Sequence, residues 1–390
     1  MWQACMTYTT YVVDVPAANG GARCPRRTGF KSWRSCKPSE CGIAPIPPTG
    51  VLPVVAVAPT ENPNWGMRRV GVFNRTDRSF VDLSNALEIN DGLCAVVIDT
   101  GIDSTHPELN VVGFQDLVDE PGDEWYNKDG NGHGTHVAGI LGARRNNRAG
   151  VGVAPGVPLY AFKVLSAEGR GSKSTVLAAF GEVLALLEQG MKIAVLNLSF
   201  VMNNGQAPPD PEEVKVTCGL LKQISLYGVS ISAAAGNQYG VNVQWILPGA
   251  CPDVMAVTSL DQYDYASPFS NNALPNANPS VLRSIIAAPG QDILSTYPTY
   301  LPGGPYTVLS GTSQATPYVS GGFVLCLLTG RCKRGDVEGQ WAAAAVNFPV
   351  LQALAKQNPC GRFQGGCGPD WAVPGAYYGF MLNVSSFLET

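Results

Sequence analysis

The sequence predicts an α/β domain with a mainly parallel central sheet covered by helices on both faces. Short, almost wholly apolar runs recur along the chain, as in strands buried on both sides. A helical period fills the interval between two of them. A high share of hydrophobic residues (45%) with few charges (14%) adds a compact, loop-rich interior to hold those elements.

Taken in order, residues 94–98 (CAVVI) form the first run and end at Asp99. Further runs lie at 159–165, 193–198, 229–234 and 254–258. Between the second and third, residues 174–189 place Val176, Phe180, Val183, Leu184 and Leu187 on one helical face, and Gly190 supplies the stop. Alternating strand and helix builds a parallel sheet, and in such sheets chemistry gathers at the carboxyl ends of the strands. The first 60 residues differ. Two β-like runs, 8–15 and 51–58, flank a Pro-, Gly- and Cys-rich stretch containing Pro45-Ile46-Pro47-Pro48.

Composition excludes several classes. A net charge of −4 offers no basic field for a nucleic-acid backbone. No apolar run approaches the roughly 20 residues that span a bilayer, so no transmembrane segment is expected. Eleven cysteines occur without a C-x-x-C pair, and with only three histidines a structural zinc site is not expected. Cysteines cluster near both ends (Cys24, Cys36, Cys41; Cys332, Cys360, Cys367), as in stapled loops of an oxidising compartment. The odd total leaves a thiol over; Cys94 and Cys326, inside apolar runs, are the expected buried free thiols. The start, Met1-Trp2-Gln3-Ala4-Cys5, lacks the basic and apolar regions of a signal peptide, so a secreted form would have its leader outside this chain.

Three segments carry the chemistry. Asp99-Thr100-Gly101 follows the first apolar run directly, with Asp103 as an internal competitor for its role. Asn131-Gly132-His133-Gly134-Thr135-His136 is the second, and Ser310-Gly311-Thr312-Ser313-Gln314-Ala315-Thr316-Pro317, the third, leads into the apolar run 318–328. A serine hydroxyl is a poor nucleophile until an imidazole takes its proton, and a carboxylate fixes that imidazole's tautomer. Asp99, His133 and Ser313, each within two residues of a glycine, supply those three parts.

These motifs, in this order, resemble the subtilases, the subtilisin-like serine proteases of the subtilisin and proteinase K type. The resemblance runs from Asn64-Trp65-Gly66 to the end of the 378–384 segment. It implies a three-layer subtilisin-like fold and a serine endopeptidase with Asp99, His133 and Ser313 as triad, His136 being the second, non-catalytic histidine of the motif. It also implies an oxyanion hole formed by Asn237, after Ala233-Ala234-Ala235-Gly236, and the backbone of Ser313. Ser199, Phe200 and Val201 stand where subtilases line the S1 cleft, usually as Ser-Leu-Gly, with Ala234 and Gly236 at its floor. A side chain at Val201 is expected to narrow that rim. Six acids between 116 and 129 read either as a solvated loop or as a selector of basic substrate side chains.

The resemblance implies no cofactor for the chemistry and a structural calcium, with Glu108 at a position where subtilisins supply a ligand. The partner loop, 146–152, is short and carries Arg148. Residues 1–60 are expected to be a small β-rich propeptide-like segment that folds onto the peptidase domain, 61–390, blocks its cleft and is cleaved between Ala58 and Asn64. Polypeptides are the expected substrates, and secretion or another oxidising compartment the expected location. Transpeptidation on the same fold, and a non-catalytic binding role, are the competing functions.

Overall fold

A computed structural model describes residues 54–56, 63–73, 79–81, 83, 92–146, 148–274, 277, 279–334, 342–357 and 376–387. The expected propeptide-like segment therefore lies outside the described residues except for one strand, as do Cys5, Cys24, Cys36, Cys41, Cys360 and Cys367.

In chain order the strands are β1 (Val54–Ala56), β2 (Ser79–Val81), β3 (Cys94–Asp99), β4 (Val111–Asp116), β5 (Leu159–Lys163), β6 (Ile193–Leu198), β7 (Ser230–Ala234), β8 (Met255–Leu260), β9 (Ile285–Pro289), β10 (Ile293–Thr296), β11 (Tyr306–Leu309) and β12 (Phe380–Met381). The helices are α1 (Trp65–Val70), α2 (His133–Gly142), α3 (Lys173–Glu188), α4 (Pro211–Leu226), α5 (Pro279–Arg283), α6 (Thr312–Leu328) and α7 (Ala343–Lys356). Eight strands form one sheet in the order β12-β9-β8-β7-β6-β3-β5-β4, every pairing parallel. Two antiparallel pairs, β1 with β2 and β10 with β11, stand apart from it.

The period of two along β3 divides the core. Ala95 and Val97 pack with Val137, Leu141, Val319 and Phe323 from α2 and α6, whereas Cys94, Val96 and Ile98 pack with Val176, Phe180, Leu221 and Ile224 from α3 and α4. The result is helix, sheet, helix, the three layers expected. β3 sits where the strand order reverses: β5 and β4 extend one way from it and β6 to β9 the other. A crevice opens at the carboxyl ends of strands at such a switch point. Asp99 closes β3 there, and Ser199 follows β6 next door.

α3 buries the predicted face, adding Ala179, and begins at Lys173 because Ser172 Oγ accepts from Thr175 N at 3.0 Å. The run expected at 159–165 ends as a strand at Lys163. Beyond it the amides of Val164 and Leu165 turn onto the single carbonyl of Asp99, at 2.9 and 3.2 Å, and the chain leaves the sheet.

The cysteines correct one expectation. Cys326 is not free: it pairs with Cys332, six residues on, across the end of α6. Cys218 in α4 pairs with Cys251 ahead of β8. Cys94 is buried and free, as expected. An apolar run indicates burial alone, which a thiol and a disulfide satisfy equally. Two disulfides fit an oxidising location, and no helix of the described residues is long and apolar enough to cross a membrane.

Candidate active site

Asp99 ends β3 with its side chain wholly buried, and Oδ1 meets His133 Nδ1 at 2.7 Å while accepting from Thr100 N at 2.7 Å. His133 is the first residue of α2, with its side chain 25% exposed, so one edge of the ring is held and the other is open. Burial disfavours the imidazolium, but the charge and hydrogen bond of Asp99, with Asp129 further off, outweigh it and hold the pKa of His133 above the ordinary histidine value. Asp103, the competing carboxylate, is occupied elsewhere. Oδ1 accepts from Thr105 and Oδ2 from Thr299, and despite burial these bonds keep its pKa below the usual carboxylate range.

The start of α2 needs glycine twice. Gly132, the residue before the helix, has φ +97°, a left-handed conformation that side chains resist. At Gly134 a Cβ would lie 2.1 Å from the Gly101 carbonyl oxygen and 3.1 Å from Asp99 Cβ. That absence lets the helix sit on the end of β3 and brings His133 to Asp99.

Asp129 holds this turn from beneath. Buried, it accepts from Thr100 Oγ1 (2.8 Å), Asn131 N (3.1 Å), Gly132 N (2.8 Å), and Thr135 N and Oγ1 (2.9 and 2.6 Å). Burial raises its pKa against the opposing pull of these bonds. Thr100 Oγ1 also accepts from Gly134 N at 2.9 Å, and Tyr297 Oη donates to Asn131 O at 3.0 Å. Sequence reading placed Asp129 in the acidic run and missed this role; the signal available was an Asp followed by Gly-Asn-Gly immediately before His133. The rest of the run is not simply solvated. Asp116 accepts from the amides of Val118, Asp119 and Asn127, and Asp119 pairs with the buried Lys163, whose Nζ also donates to Trp125 O and Lys128 O. Glu120, Asp123 and Glu124 are exposed.

His136, one turn after His133, is held neutral. Burial and the neighbouring His133 push its pKa down to about 3, and Nε2–H lies 3.0 Å from Ile293 O and 3.2 Å from Thr307 O.

Ser313 is the second residue of α6 and partly exposed. Pro317, four residues on, has no N–H to give back to the Ser313 carbonyl. Ser199 Oγ donates to that carbonyl instead, at 2.8 Å, while Asn197 Nδ2 donates to Ser199 Oγ at 3.0 Å. The side chain of Ser199 is thus turned under the cleft toward Ser313. Asn237 is fixed through its oxygen, which accepts from Thr312 N and Oγ1, both at 2.9 Å. Its amide nitrogen is left to face the other way. A Cβ built on Gly311 would lie 3.2 Å from Asn237 Nδ2 and 3.6 Å from Ser313 N, so both nitrogens border one small space at the amino end of α6.

A cleft of about 530 Å³ runs along these groups. Phe200, Val201, Ala234, Gly236, Asn237 and Ser313 line it, together with the segment 169–173. Of the residues expected to line the S1 cleft, only Ser199 lies behind the wall.

Glu108 does not fit the expected calcium site. Its carboxylate is buried, and Oε1 accepts from Tyr306 Oη at 2.6 Å and Gly150 N at 3.2 Å. Burial and Glu108 push the phenol's pKa up, so Tyr306 remains a donor, and the Arg148 guanidinium acts on the same group. A tyrosine hydroxyl and a backbone amide already hold the carboxylate oxygen that the ion would share.

A profile described as the Subtilase family matches residues 91–330, which includes all three motifs. Subtilisin BL of Lederbergia lenta is 35% identical over 261 residues, 67% of this chain and 82% of that protein, and Subtilisin Savinase of the same organism matches to the same extent. Subtilisin DY of Bacillus licheniformis is 35% identical over 233 residues, 59% of this chain and 75% of its own. Among solved structures, a cold adapted subtilisin-like serine proteinase superposes with a TM-score of 0.59 at 26% identity, covering 83% of this chain and 98% of that one. The chain belongs to the Subtilase family and is a subtilisin-like serine endopeptidase.

Proposed function

We propose that the protein hydrolyses peptide bonds through an acyl-enzyme on Ser313. The observation that carries this reading is the 2.7 Å contact between Asp99 Oδ1 and His133 Nδ1, made at the start of a helix that packs against the one carrying Ser313. With Nδ1–H committed to Asp99, Nε2 carries the lone pair and takes the proton from Ser313 Oγ as it attacks the scissile carbonyl. Charge forming on the carbonyl oxygen is met by Asn237 Nδ2 and Ser313 N–H, and the amino end of α6 favours the same sign. His133 then gives its proton to the leaving amine, and a water activated by the same nitrogen releases the acid. Phe200, Val201, Ala234 and Gly236 hold the side chain before the scissile bond. No cofactor takes part.

Residues 1–60 act as an intramolecular inhibitor that is cut between Ala58 and Asn64. After the cut, the pairing of β1 with β2 would keep the segment docked. The two disulfides support action outside the cell or in another oxidising compartment.

The reading is tested by incubating peptides with the protein and identifying products by mass spectrometry, with and without a competing amine. Hydrolysed fragments that vanish in Ser313→Ala support it. Aminolysed products in preference to acids would make the protein a transferase, and cleavage that persists in Ser313→Ala would remove the serine from the mechanism. A fully active preparation with an intact N-terminus would overturn the inhibitor reading.

A further inference from the structure

The cleft carries a charge opposite in sign to the chain. The protein has a net charge of −4, yet the residues lining the cleft include no acid and two cations, Arg170 and Lys173. Lys173 is compensated, since its Nζ lies 2.7 Å from Glu213 Oε2. Arg170 is exposed and has no carboxylate within 4.0 Å among the described residues. Glu168, two residues away, is the acid that feels its charge. That carboxylate accepts from Ser166 Oγ at 2.7 Å and does not line the cleft. The amino end of α3, opened by Ser172, faces the same space and adds positive potential.

Arg170 is held in place by its backbone. Its carbonyl accepts from Ser166 N at 2.8 Å, and Gly169 N donates to Ser166 O at 2.9 Å, closing a tight turn. Asn131 Nδ2 donates to Ala167 O at 2.8 Å, tying that turn to the one that carries His133. The acids of residues 116–129, which could have selected basic substrates, supply no residue to the cleft. Asp116, Asp119 and Asp129 are bound to backbone amides, Lys163 and the α2 turn.

We propose that Arg170 makes the cleft selective for peptides with an aspartate or glutamate side chain near the scissile bond, placed to lie beside the 169–173 segment. This rests on the reading of the cleft as a peptide-cleaving site. A guanidinium forms a paired, planar contact with a carboxylate, and the partly enclosed cleft limits screening on one side.

The test profiles a peptide library by mass spectrometry with the wild-type protein, Arg170→Ala, Arg170→Lys and Arg170→Glu. Within each protein, the ratio of kcat/KM for an acidic peptide to that for its amide counterpart is measured at low and high salt. Expected are a ratio of about five in the wild type, typical of a solvent-facing ion pair, and its fall toward one at high salt. Arg170→Ala should remove the preference, Arg170→Lys keep part of it, and Arg170→Glu turn it toward basic peptides. An acidic preference unchanged in Arg170→Ala, or cleavage with no acidic preference in the wild type, overturns the proposal while leaving the peptidase reading intact. No cleavage of any library member overturns that reading itself.

Discussion

Ser199 and Pro317 show how one residue's deficit sets another's position. A proline inside α6 leaves the carbonyl of Ser313 without its helical donor, and the Ser199 hydroxyl fills the vacancy at 2.8 Å. Removing that hydroxyl strands a partly buried acceptor at a cost of about 1 kcal/mol, the low end for such groups. Ser199→Ala should lower the melting temperature and reduce kcat roughly tenfold with little change in KM, because a small displacement of the nucleophile harms the reaction more than binding. A variant with wild-type kcat would show that the bond does not position Ser313. The proline was legible in the sequence, four residues from the serine; its consequence was not, because the compensating residue is 114 positions away.

His133, the proposed base, is governed by its neighbours in a way that activity against pH can read. Burial alone would lower the pKa of His133; Asp99 reverses the sign. The imidazolium cannot accept the Ser313 proton, so activity should fall as pH drops through an apparent pKa above the ordinary 6.5 and should be full on the alkaline side. Asp99→Asn should move that limb to lower pH and cut kcat sharply. An acid limb at or below 6.5 in the wild type would contradict the assigned partnership.

At the scale of elements, sequence and structure agree where a period is strong. All five apolar runs became strands of the sheet, and α3 buried the predicted face. What the sequence did not yield was set by pairing over distance. β4 is only half buried and contains Gly113, so it has no continuous apolar run, and β12 is two residues long and exists by pairing with β9. Nor did the sequence tell which glycine is indispensable. The approach of α2 to the end of β3 depends on Gly134, where a Cβ would come within 2.1 Å of a backbone oxygen that cannot rotate away. Gly134→Ala should cost about 1–3 kcal/mol through overpacking and should reduce kcat as His133 is pushed off Asp99. Thermal melts and kinetics on one preparation check both; an unchanged melting temperature and kcat would mean that the helix has room to move.

Across the whole molecule, the switch in strand order beside β3 explains why motifs 34 and 180 residues apart serve one site. Asp99 ends a strand there, and His133 and Ser313 open helices packed against each other on one face of the sheet. The motifs made Asp99, His133 and Ser313, the proposed triad, legible. The supports, Asp129, Thr100, Thr312 and Ser199, became visible only once the chain was folded, since each acts by hydrogen bonds to residues that pattern alone does not pair. Charge behaved likewise: six acids in a row of fourteen residues read as a surface property, whereas half of them are spent inside the protein and the cleft is left electropositive.

The most direct measurement is covalent labelling with a serine-directed phosphonate, read by intact mass and peptide mapping. One adduct per chain on Ser313, absent in Ser313→Ala and slowed severely in His133→Ala, is the result predicted. Labelling at another residue, or a preparation that cleaves peptides without taking the label on Ser313, would contradict the assignment of Asp99, His133 and Ser313 as the catalytic set.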